Sequence, residues 1–319
     1  MNVLFTSVGR RVELVRAFRR AYAELELDGR IVGVDVDPLA PALRECDEFF
    51  MVPRCDEPGY VPAIAEVCER AAIALLFPLI DPEIPVLARA RDGLGTRAMV
   101  LPPEAAEITA DKLATAELFE RIGVPTPRRD PGDFPVFVKP RFGSAGAHTY
   151  RAAGEEELSF FLQRVPDPIV EEFLPGPEIT TDVLCLDDGE VAAVCSRRRL
   201  EVRSGEVSKG VTVHDEAIAS HCVKIGEALN ARGPITVQCL LDAAGEPRFT
   251  EVNARFAGGA PLGFAAGVES PRWLLAHAAG LAFDLPPLGS YRLGLHMTRY
   301  DESFFIGEEE RAADASRRL

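Results

Sequence analysis

The sequence predicts a mixed α/β protein in which a domain built on a parallel sheet is followed by an α+β region built on antiparallel strands. In the first part of the chain, short apolar runs alternate with helix-like segments, which is the pattern of a parallel sheet covered by helices on both faces. Further on, Asp188-Gly189 and Ala244-Gly245 each lie between two alternating runs, as the turn of a β-hairpin does. With 319 residues, of which 47% are hydrophobic, the chain is long enough for two or three lobes.

The parallel-sheet domain is predicted to occupy residues 1–105. It opens with a strand in VLFTS, a glycine turn, a helix in RRVELVRAFRRAYAEL and a second strand in IVGVDVD, which together form a βαβ unit. Strands in EFFMVP, ALLFPLI and AMVLP then alternate with helices in YVPAIAEVCERAA and IPVLARARDGL. In such a sheet the ligand-binding edge lies at the carboxyl ends of the strands.

The α+β region begins where a proline pair precedes the helix of PPEAAEITADKLATAELFERIG, which ends at Gly123. Residues 106–178 are predicted to form a small lid, with strands in PVFVKP and PIVEEFL separated by a Gly/Ser loop and a helix in EEELSFFLQRV. Residues 179–319 contain the two predicted hairpins. The final stretch, EEERAADASRRL, is expected to be frayed or disordered.

The composition argues against several classes of partner. The chain has 50 Asp and Glu residues against 35 Lys and Arg residues, and an acidic protein is a poor match for the phosphate backbone of a nucleic acid. No stretch approaches the roughly 18 apolar residues of a membrane helix, and MNVLFTSVGRRVELV lacks the features of a secretion signal. We therefore expect a cytoplasmic protein with no membrane partner. The seven cysteines form no CxxC pair, which favours reduced thiols in the core.

Two lysines and a glycine loop are the first candidates for a phosphate-binding site. Lys112 lies in ADKLAT and Lys139 ends the predicted strand VFVKP, and each can hold its compact charge against phosphate oxygens. In the loop RFGSAGAHT, backbone N–H groups of Gly143, Ser144 and Gly146 can approach a polyphosphate closely. The loop lacks the GxxxxGK[ST] pattern of a P-loop. The alternative interpretations are surface lysines and an ordinary hairpin loop.

The segment EEFLPGPEITTDV offers a surface for a nucleoside. Adenine requires an apolar slot with hydrogen-bond partners beside it, and EEFL supplies both. Glu178, seven residues after Glu171, can accept hydrogen bonds from ribose hydroxyls. Acidic residues in loops are usually solvated, so this interpretation depends on the neighbouring motifs.

The hairpin QCLLDAAGEPRFTEVNARF contains a candidate site for a metal ion and for phosphoryl transfer. Glu251 and Asn253 are two residues apart on the returning strand and face the same side. Oxygen ligands at this spacing suit Mg2+ bridged by nucleotide phosphates. Arg255 extends this face and places a guanidinium where a transferred phosphoryl group requires charge stabilisation. The alternative is an exposed strand face.

With these motifs in this order, the sequence resembles the ATP-grasp superfamily. The resemblance is to the branch that contains biotin carboxylase and the large subunit of carbamoyl phosphate synthase, and that includes single-chain amino-acid ligases. It covers nearly the whole chain, through TSVGRRVEL, GVDVDPLAPAL, FPLIDPEI, EEFLPGPE and EVNARFAGG. It implies a Rossmann-like pre-ATP-grasp domain, followed by an ATP-grasp fold with a small lid and an antiparallel-sheet C-terminal lobe.

The resemblance also implies a role for each matched residue. Lys112 and Lys139 are implied to bind the ATP phosphates, and Glu178 to bind the ribose. Adenine is implied to be bound by Glu171, Glu172, Phe173 and Leu174. Mg2+ is implied to be bound by Gln238, Glu251 and Asn253. Arg255 is implied to meet the γ-phosphate and the acyl phosphate, and Lys139 shares this catalytic role. Many relatives have an aspartate where this chain has Gln238, so the number of metal ions stays open. Mn2+ is expected to substitute for Mg2+.

Two further groups of residues are candidates for binding substrates. The segment SRRRLEVRSGEVSKGVTVHD contains residues that can bind the acceptor's carboxylate and shield an acyl phosphate: Arg197, Arg198, Arg199, Lys209 and His214. The alternative is a solvated basic face. In the first domain, the candidates follow two predicted strands, at the edge where a parallel sheet presents ligand groups: Ser7, Gly9, Arg10, Asp81 and Glu83.

The residues and the resemblance together favour an ATP-dependent carboxylate-amine ligase. ATP phosphorylates a carboxylate, an amine attacks the acyl phosphate, and an amide or peptide bond, ADP and phosphate result. The alternatives are an enzyme that forms carbamoyl or carboxy phosphate and an ATP-binding module without turnover. The expected partners are a small carboxylic acid, such as an amino acid, and a small amine. The oligomeric state is open, with a homodimer as one option.

Overall fold

The computed structural model of the protein describes residues 1–143, 146–203 and 205–317. These residues form a five-stranded, a three-stranded and a six-stranded sheet. The parallel sheet precedes the two antiparallel ones along the chain, so the predicted mixed α/β class is confirmed. No helix in the described part of the chain has the length and apolar character needed to cross a membrane.

The first sheet is parallel and open. Its strands are β1 (Asn2–Thr6), β2 (Ile31–Asp35), β3 (Glu48–Met51), β4 (Ile73–Pro78) and β5 (Arg97–Ala98). Three α-helices cover it, α1 (Val12–Glu24), α2 (Tyr60–Arg70) and α3 (Ile84–Ala90), with 3-10 turns at Pro41–Glu45, Asp81–Glu83 and Arg91–Gly93. The strand order β3-β2-β1-β4-β5 reverses between β1 and β4, so the carboxyl ends of these two strands flank the crevice where such sheets bind ligands. The strand predicted in AMVLP is only two residues long.

An aromatic cluster joins this sheet to the C-terminal half of the chain. Phe18 of α1 packs edge-on against Phe5 of β1, with ring centroids 4.9 Å apart, and lies 6.0 Å from Phe256. Phe77 of β4 completes the cluster, and all four rings are buried. Burying each ring stabilises the fold by roughly 1.5–3 kcal/mol. Because Phe256 directly follows Arg255, this packing holds the segment of Arg255 against the first domain.

Two helices and a small sheet follow the first domain. The helices are α4 (Pro103–Ala110) and α5 (Lys112–Arg121), and the side chain of Asp111 caps α5 by accepting a 2.9 Å hydrogen bond from the N–H of Leu113. The small sheet consists of β6 (Val136–Pro140), β7 (Tyr150–Ala152) and β8 (Pro168–Glu172), antiparallel in the order β7-β6-β8, with α6 (Glu155–Leu162) packed on it. Its separate core is small, and we call these three strands the lid sheet after the region in which the sequence predicts a lid.

The third sheet is antiparallel and has six strands. Its strands are β9 (Glu178–Cys185), β10 (Val191–Arg203), β11 (Glu206–Val213), β12 (Gly233–Leu241), β13 (Pro247–Asn253) and β14 (His296–Thr298), in the order β13-β12-β9-β10-β11-β14. The helices α7 (Glu216–Ala228), α8 (Ala260–Ala265) and α9 (Ser270–Ala279) accompany it. Both predicted hairpins are present, between β9 and β10 and between β12 and β13.

The C-terminal segment is ordered as far as the structure describes it, so the expectation of a frayed end was wrong. It forms α10 (Glu308–Ala315), which packs against β3. The carboxylate of Asp314 is buried and lies 2.7 Å from Arg44, and the N–H of Met51 donates to the carbonyl of Arg317 at 3.0 Å. Arg317 also stacks over Phe49. The segment is strongly charged, but these long-range partners hold it in place.

We expect Asp314→Ala to lower the free energy of unfolding by about 2–4 kcal/mol, because it leaves the mostly buried Arg44 without its closest carboxylate. Denaturant unfolding measures this change. Glu309→Ala is the matched control, since Glu309 lies exposed on the same helix. Equal stability of the two variants would show that α10 contributes little to the fold.

Candidate functional site

A cleft of about 600 Å³ lies between the lid sheet and the six-stranded sheet, within the usual size of a small-molecule site. The lid contributes Lys139 from β6 and Glu171 from β8, and the opposite wall contributes Glu178 from β9 and Glu251 from β13. Most of the residues predicted from the sequence line this cleft: Arg10, Lys112, Lys139, Gly143, Gly146, Glu171, Glu172, Phe173, Leu174, Glu178, Gln238, Glu251, Asn253 and Arg255. Ser144 was predicted beside them and lies outside the described residues.

Two ammonium groups approach the cleft from different elements. Lys139 ends β6 and is buried, with its Nζ 2.7 Å from the Glu171 carboxylate on the neighbouring strand. Lys112 begins α5, and its Nζ donates to the carbonyl of Gly143 at 2.6 Å. Burial lowers the pKa of Lys112, and the charge of Glu251 partly offsets this effect. The lining of the cleft therefore includes two ammonium groups.

The glycine loop is fixed at its start by contacts to α5. The guanidinium of Arg141 binds the carboxylate of Asp111 through Nε at 2.8 Å and Nη2 at 2.5 Å, and the N–H of Lys112 donates to the Arg141 carbonyl at 3.1 Å. Gly143 and Gly146 have φ values of +107° and +67°, which residues with a Cβ seldom adopt. This conformation suits a loop whose backbone approaches a phosphate.

The predicted nucleoside wall is partly apolar and partly engaged in ion pairs. Phe173 and Leu174 line it, and Arg151 stacks over the ring of Phe173 at 5.1 Å. Both oxygens of Glu172 accept hydrogen bonds from Arg128. The carboxylate of Glu178 lies 2.5 Å from Arg199. Phe173 and Leu174 thus provide the apolar surface, while Glu178 keeps one oxygen for a further donor.

The candidate metal ligands lie on two paired strands. Gln238 of β12 is directly opposite Glu251 of β13, and Asn253 follows two residues later. Burial raises the pKa of Glu251, although Lys112 and a hydrogen bond from Asn253 counteract this. In the described ranges, no three His, Cys, Asp or Glu side chains come together as a metal cluster. One carboxylate and two amide oxygens nevertheless fit Mg2+, which usually takes one or two protein carboxylates besides phosphate and water.

Arg255 lies just beyond the end of β13 and connects the two halves of the molecule. Its Nη2 is 2.7 Å from the carboxylate of Asp81, which follows β4 in the first domain, and 3.2 Å from the amide oxygen of Asn253. Its N–H donates to the carbonyl of Asn253 at 2.9 Å. The guanidinium is therefore held beside the candidate metal ligands and at the edge of the parallel sheet.

A second, smaller cavity of about 70 Å³ adjoins the cleft; we call it the basic compartment. It is defined here by Arg11, Thr180, Arg197, Arg199, Glu206 and Arg255, and the last three of these residues also line the main cleft. Arg197 and Arg199 lie two apart on β10, so they share a face. Arg197 and Arg199 were predicted from the sequence, whereas Arg11, Thr180 and Glu206 were not. The arginine pair at positions 10 and 11 was the available signal for Arg11.

Three other predicted substrate residues, Ser7, Gly9 and Glu83, do not line the cleft and have structural roles. Glu83 is completely buried, and it accepts hydrogen bonds from Ser7, Tyr60 and the N–H groups of Leu79 and Ile80. The prediction that it faces a ligand was therefore wrong, because its oxygens are used to fix the turns after β1 and β4. The N–H of Gly9 donates to Asp35, so this turn is also held internally.

The remaining basic candidates, which lie on β10, on β11 and just after β11, face solvent. Lys209 is exposed and pairs with Glu201 at 2.7 Å, and His214 lies 3.2 Å from Glu216. Neither lines the cleft or the basic compartment. Arg198 is exposed because it points to the opposite face of β10 from Arg197 and Arg199. The prediction that these three residues bind substrate is not supported by their positions.

Family models match parts of both halves of the chain. A family model described as "PylC-like, N-terminal domain" matches residues 3–99. A second, described as "ATP-grasp in the biosynthetic pathway with Ter operon", matches residues 164–298. Among curated relatives, a 3-methyl-D-ornithine--L-lysine ligase of Methanosarcina acetivorans is 29% identical over 197 residues, which are 59% of this chain and 49% of that protein. The chain thus spans about half the length of this relative.

Solved structures share the fold over nearly the whole chain. The biotin carboxylase domain of Hydrogenobacter thermophilus 2-oxoglutarate carboxylase matches with a TM-score of 0.75 and 20% identity, covering 92% of this chain and 73% of that one. An L-amino acid ligase from Bacillus licheniformis matches with a TM-score of 0.68 and 19% identity, covering 87% and 73%. These similarities to solved structures show the fold, and the two family models show which parts of the sequence match known domains. The predicted resemblance to the ATP-grasp superfamily is thus confirmed by an ATP-grasp family model over residues 164–298, and residues 3–99 match a PylC-like N-terminal domain.

Proposed function

We propose that the protein is an ATP-dependent carboxylate-amine ligase that forms an amide or peptide bond through an acyl phosphate. The observation that supports this most directly is the single cleft with Lys112, Lys139 and the glycine loop on one side and Glu251 and Arg255 on the other. The relative from Methanosarcina acetivorans is named as a ligase of two amino acids, and the neighbour from Bacillus licheniformis as an amino-acid ligase.

The cleft residues suit MgATP in one orientation. Phe173 and Leu174 provide the apolar slot for adenine, and the free oxygen of Glu178 can accept from the ribose. The phosphates then extend toward Lys139 and the glycine loop, where ammonium and backbone N–H groups neutralise charge. Glu251, with the amide oxygens of Gln238 and Asn253, would hold Mg2+ or, as a substitute, Mn2+, which would neutralise negative charge on the phosphates.

Arg255 is placed to act on the transferred group. An oxygen of the substrate carboxylate attacks the γ-phosphorus, the bond to the β-γ bridging oxygen breaks, and ADP leaves. The amine then attacks the acyl carbon, phosphate departs with the former carboxylate oxygen, and the amine loses a proton. Arg255 can stabilise charge on the phosphoryl oxygens in both steps. Asp81 and Asn253 hold its guanidinium in position beforehand.

We further propose that residues 106–178 act as the lid and N-lobe of the ATP-grasp fold, residues 1–105 as the pre-ATP-grasp domain and residues 179–319 as the C-lobe. Closure of the lid would exclude water from the acyl phosphate. We expect amide hydrogen exchange in β6 and β8 to slow on adding Mg2+ and a non-hydrolysable ATP analogue. The strands of the first domain far from the cleft, such as β3, serve as the internal reference. Unchanged exchange in β6 and β8 would contradict a nucleotide-closed lid.

A substrate library tests the proposed function. Purified protein, MgATP and pairs of small acids and amines are incubated, and ADP, phosphate and product masses are measured. The ligase predicts ADP release that requires both an acid and an amine, with a product lighter than their sum by one water. ADP release that depends on bicarbonate alone would instead indicate formation of carboxy phosphate. The absence of ADP release with every pair would favour a binding module without turnover.

A further inference from the structure

Arginines make up much of the lining of the basic compartment. Four of its lining residues are arginines, and Glu206 is the acidic one among its six defining residues. Burial lowers the pKa of Arg11, an effect that the nearby Glu206 opposes. Burial by itself would raise the pKa of Glu206, but Arg11 and Arg299 outweigh it and hold this pKa below the usual value. Glu206 therefore stays ionised at neutral pH.

Each arginine of the compartment already has one carboxylate partner. Arg11 lies 2.8 Å from Glu206, and Arg255 lies 2.7 Å from Asp81. The other two pairs join Arg197 to Asp182 and Arg199 to Glu178. A guanidinium has five N–H donors, however, and a single carboxylate engages only one or two of them. These pairs therefore leave donors free.

Several of the free donors are buried. The Nε atoms of Arg197, Arg199 and Arg255 and the hydroxyl of Thr180 have no hydrogen-bond partner within the described part of the chain. Arg197 and Thr180 are 2% and 3% exposed. A buried donor without an acceptor costs roughly 1–3 kcal/mol. Each of these four donors would gain an acceptor if a guest brought an oxygen atom within hydrogen-bond distance of it.

The backbone beside the compartment is shaped to accommodate the arginines. A Cβ on Gly258 would lie 2.5 Å from Nη1 of Arg11, and a Cβ on Gly259 would lie 2.5 Å from Nε of Arg197. Any other residue at these two positions would therefore displace a guanidinium. The glycines of FAGG thus permit the close approach that places Arg11 and Arg197 at the cavity.

The compartment is a side cavity of the main cleft, with a volume of about 70 Å³ against about 600 Å³. The compartment shares Arg199, Asn253 and Arg255 with the main cleft. A molecule whose end enters the compartment therefore extends toward the proposed site of phosphoryl transfer.

We propose that the basic compartment binds a second acidic group of the acid substrate, so that the substrate is a dianionic acid whose other carboxylate is activated beside Arg255. This inference rests on the proposed ligase function. The second group is a carboxylate or a phosphate, since both present several acceptor oxygens to guanidinium donors. The compartment thus recognises the acidic group at the end of the acid substrate that is remote from the new bond.

Calorimetry of the full chain with Mg2+ and a non-hydrolysable ATP analogue tests this inference. The probes are L-aspartate, L-glutamate, L-2-aminoadipate and O-phospho-L-serine, each compared with a neutral analogue, L-asparagine, L-glutamine, L-norleucine and L-serine respectively. We expect at least one acidic probe to bind tenfold or more tightly than its neutral analogue. The preferred probe distinguishes a second carboxylate from a phosphate. Equal affinity within every pair, or no binding of any acidic probe, would overturn the inference.

Two variants connect the preference to the compartment. Thr180→Val keeps the side-chain shape and is expected to weaken binding of the preferred acidic probe about fivefold, while Arg197→Gln is expected to weaken it tenfold or more. Arg198→Gln is the matched control, because Arg198 lies exposed on the opposite face of β10. If Thr180→Val and a folded Arg197→Gln bind the acidic probe as the control does, the inference fails.

The same samples distinguish this failure from that of the proposed function. ADP release is measured with each probe and an amine library. Turnover of neutral acids without preference for acidic ones would leave the ligase intact and overturn the dianionic substrate. Tight binding of an acidic probe with no ADP release for any amine would support the compartment and contradict the ligase.

Discussion

Replacing Arg255 with alanine is expected to lower kcat by about 10²–10³-fold, the usual cost of removing one preorganised donor from a developing charge. The affinity for ATP should stay nearly unchanged, because the guanidinium contacts the transferred group more strongly in the transition state than in the bound nucleotide. Steady-state kinetics with the substrates found in the library give kcat, and calorimetry gives the nucleotide affinity.

Two variants serve as controls for Arg255→Ala. Arg248→Ala removes an arginine from β13, the strand that precedes Arg255, but Arg248 pairs with Asp242 and lies outside the cleft, so the kcat of this variant should match that of the unmodified protein. Asp81→Asn keeps Arg255 and removes its partner, and we expect a smaller loss of kcat from poorer positioning. Normal turnover by Arg255→Ala would show that this arginine does not face the reacting centre.

Lys139→Met is expected to weaken ATP binding by about 10- to 150-fold, which corresponds to a charge-assisted hydrogen bond of roughly 1.5–3 kcal/mol. The variant should also lose about 3–5 kcal/mol of stability, because the buried Glu171 is left without its partner 2.7 Å away. Calorimetry with an ATP analogue and denaturant unfolding measure the two effects separately.

A double variant separates nucleotide binding from folding. In Lys139→Met/Glu171→Met both charges of the buried pair are replaced, so most of the stability should return while ATP binding stays weak. Lys224→Met removes an exposed lysine of α7 and should change neither quantity. If the double variant regained the original ATP affinity, Lys139 would support only the structure of the lid.

The parallel-sheet domain followed from local patterns because its strands are buried on both faces. Val3 to Thr6 and Leu75 to Pro78 are buried throughout, and such runs read as strands without any knowledge of their neighbours. The two hairpins were equally legible, since Asp188-Gly189 and Ala244-Gly245 occupy the turn positions. Periodicity and turn chemistry thus predict these elements.

The C-terminal helix could not be predicted in this way, because its order depends on partners far away in sequence. Asp314 pairs with Arg44 and Arg317 stacks over Phe49. Within the segment itself, charge dominates and no apolar stripe is visible. The sequence of such a charged helix predicts disorder, because the surface against which the helix packs is not visible in the sequence.

In the candidate site too, some features could be predicted from local sequence patterns and others depend on residues far apart in the sequence. Strand alternation placed Glu251 and Asn253 on one face, and the structure has both lining the cleft. The pairing of Arg255 with Asp81 joins residues 174 positions apart, and only the folded chain reveals it. Because side chains alternate along β10, Arg198 lies on the opposite face from Arg197 and Arg199. The run of three arginines by itself did not show which of them face the site. Arg11 and Glu206 meet across the two halves of the molecule.

Transfer of oxygen from the acid to phosphate tests the acyl phosphate most directly. The acid substrate, labelled with 18O in its carboxylate, is incubated with MgATP and the amine, and the released phosphate is analysed by mass spectrometry. An acyl phosphate predicts one 18O atom per phosphate formed, because the former carboxylate oxygen leaves with the phosphoryl group. Unlabelled phosphate accompanying amide formation would contradict activation of the carboxylate by phosphorylation.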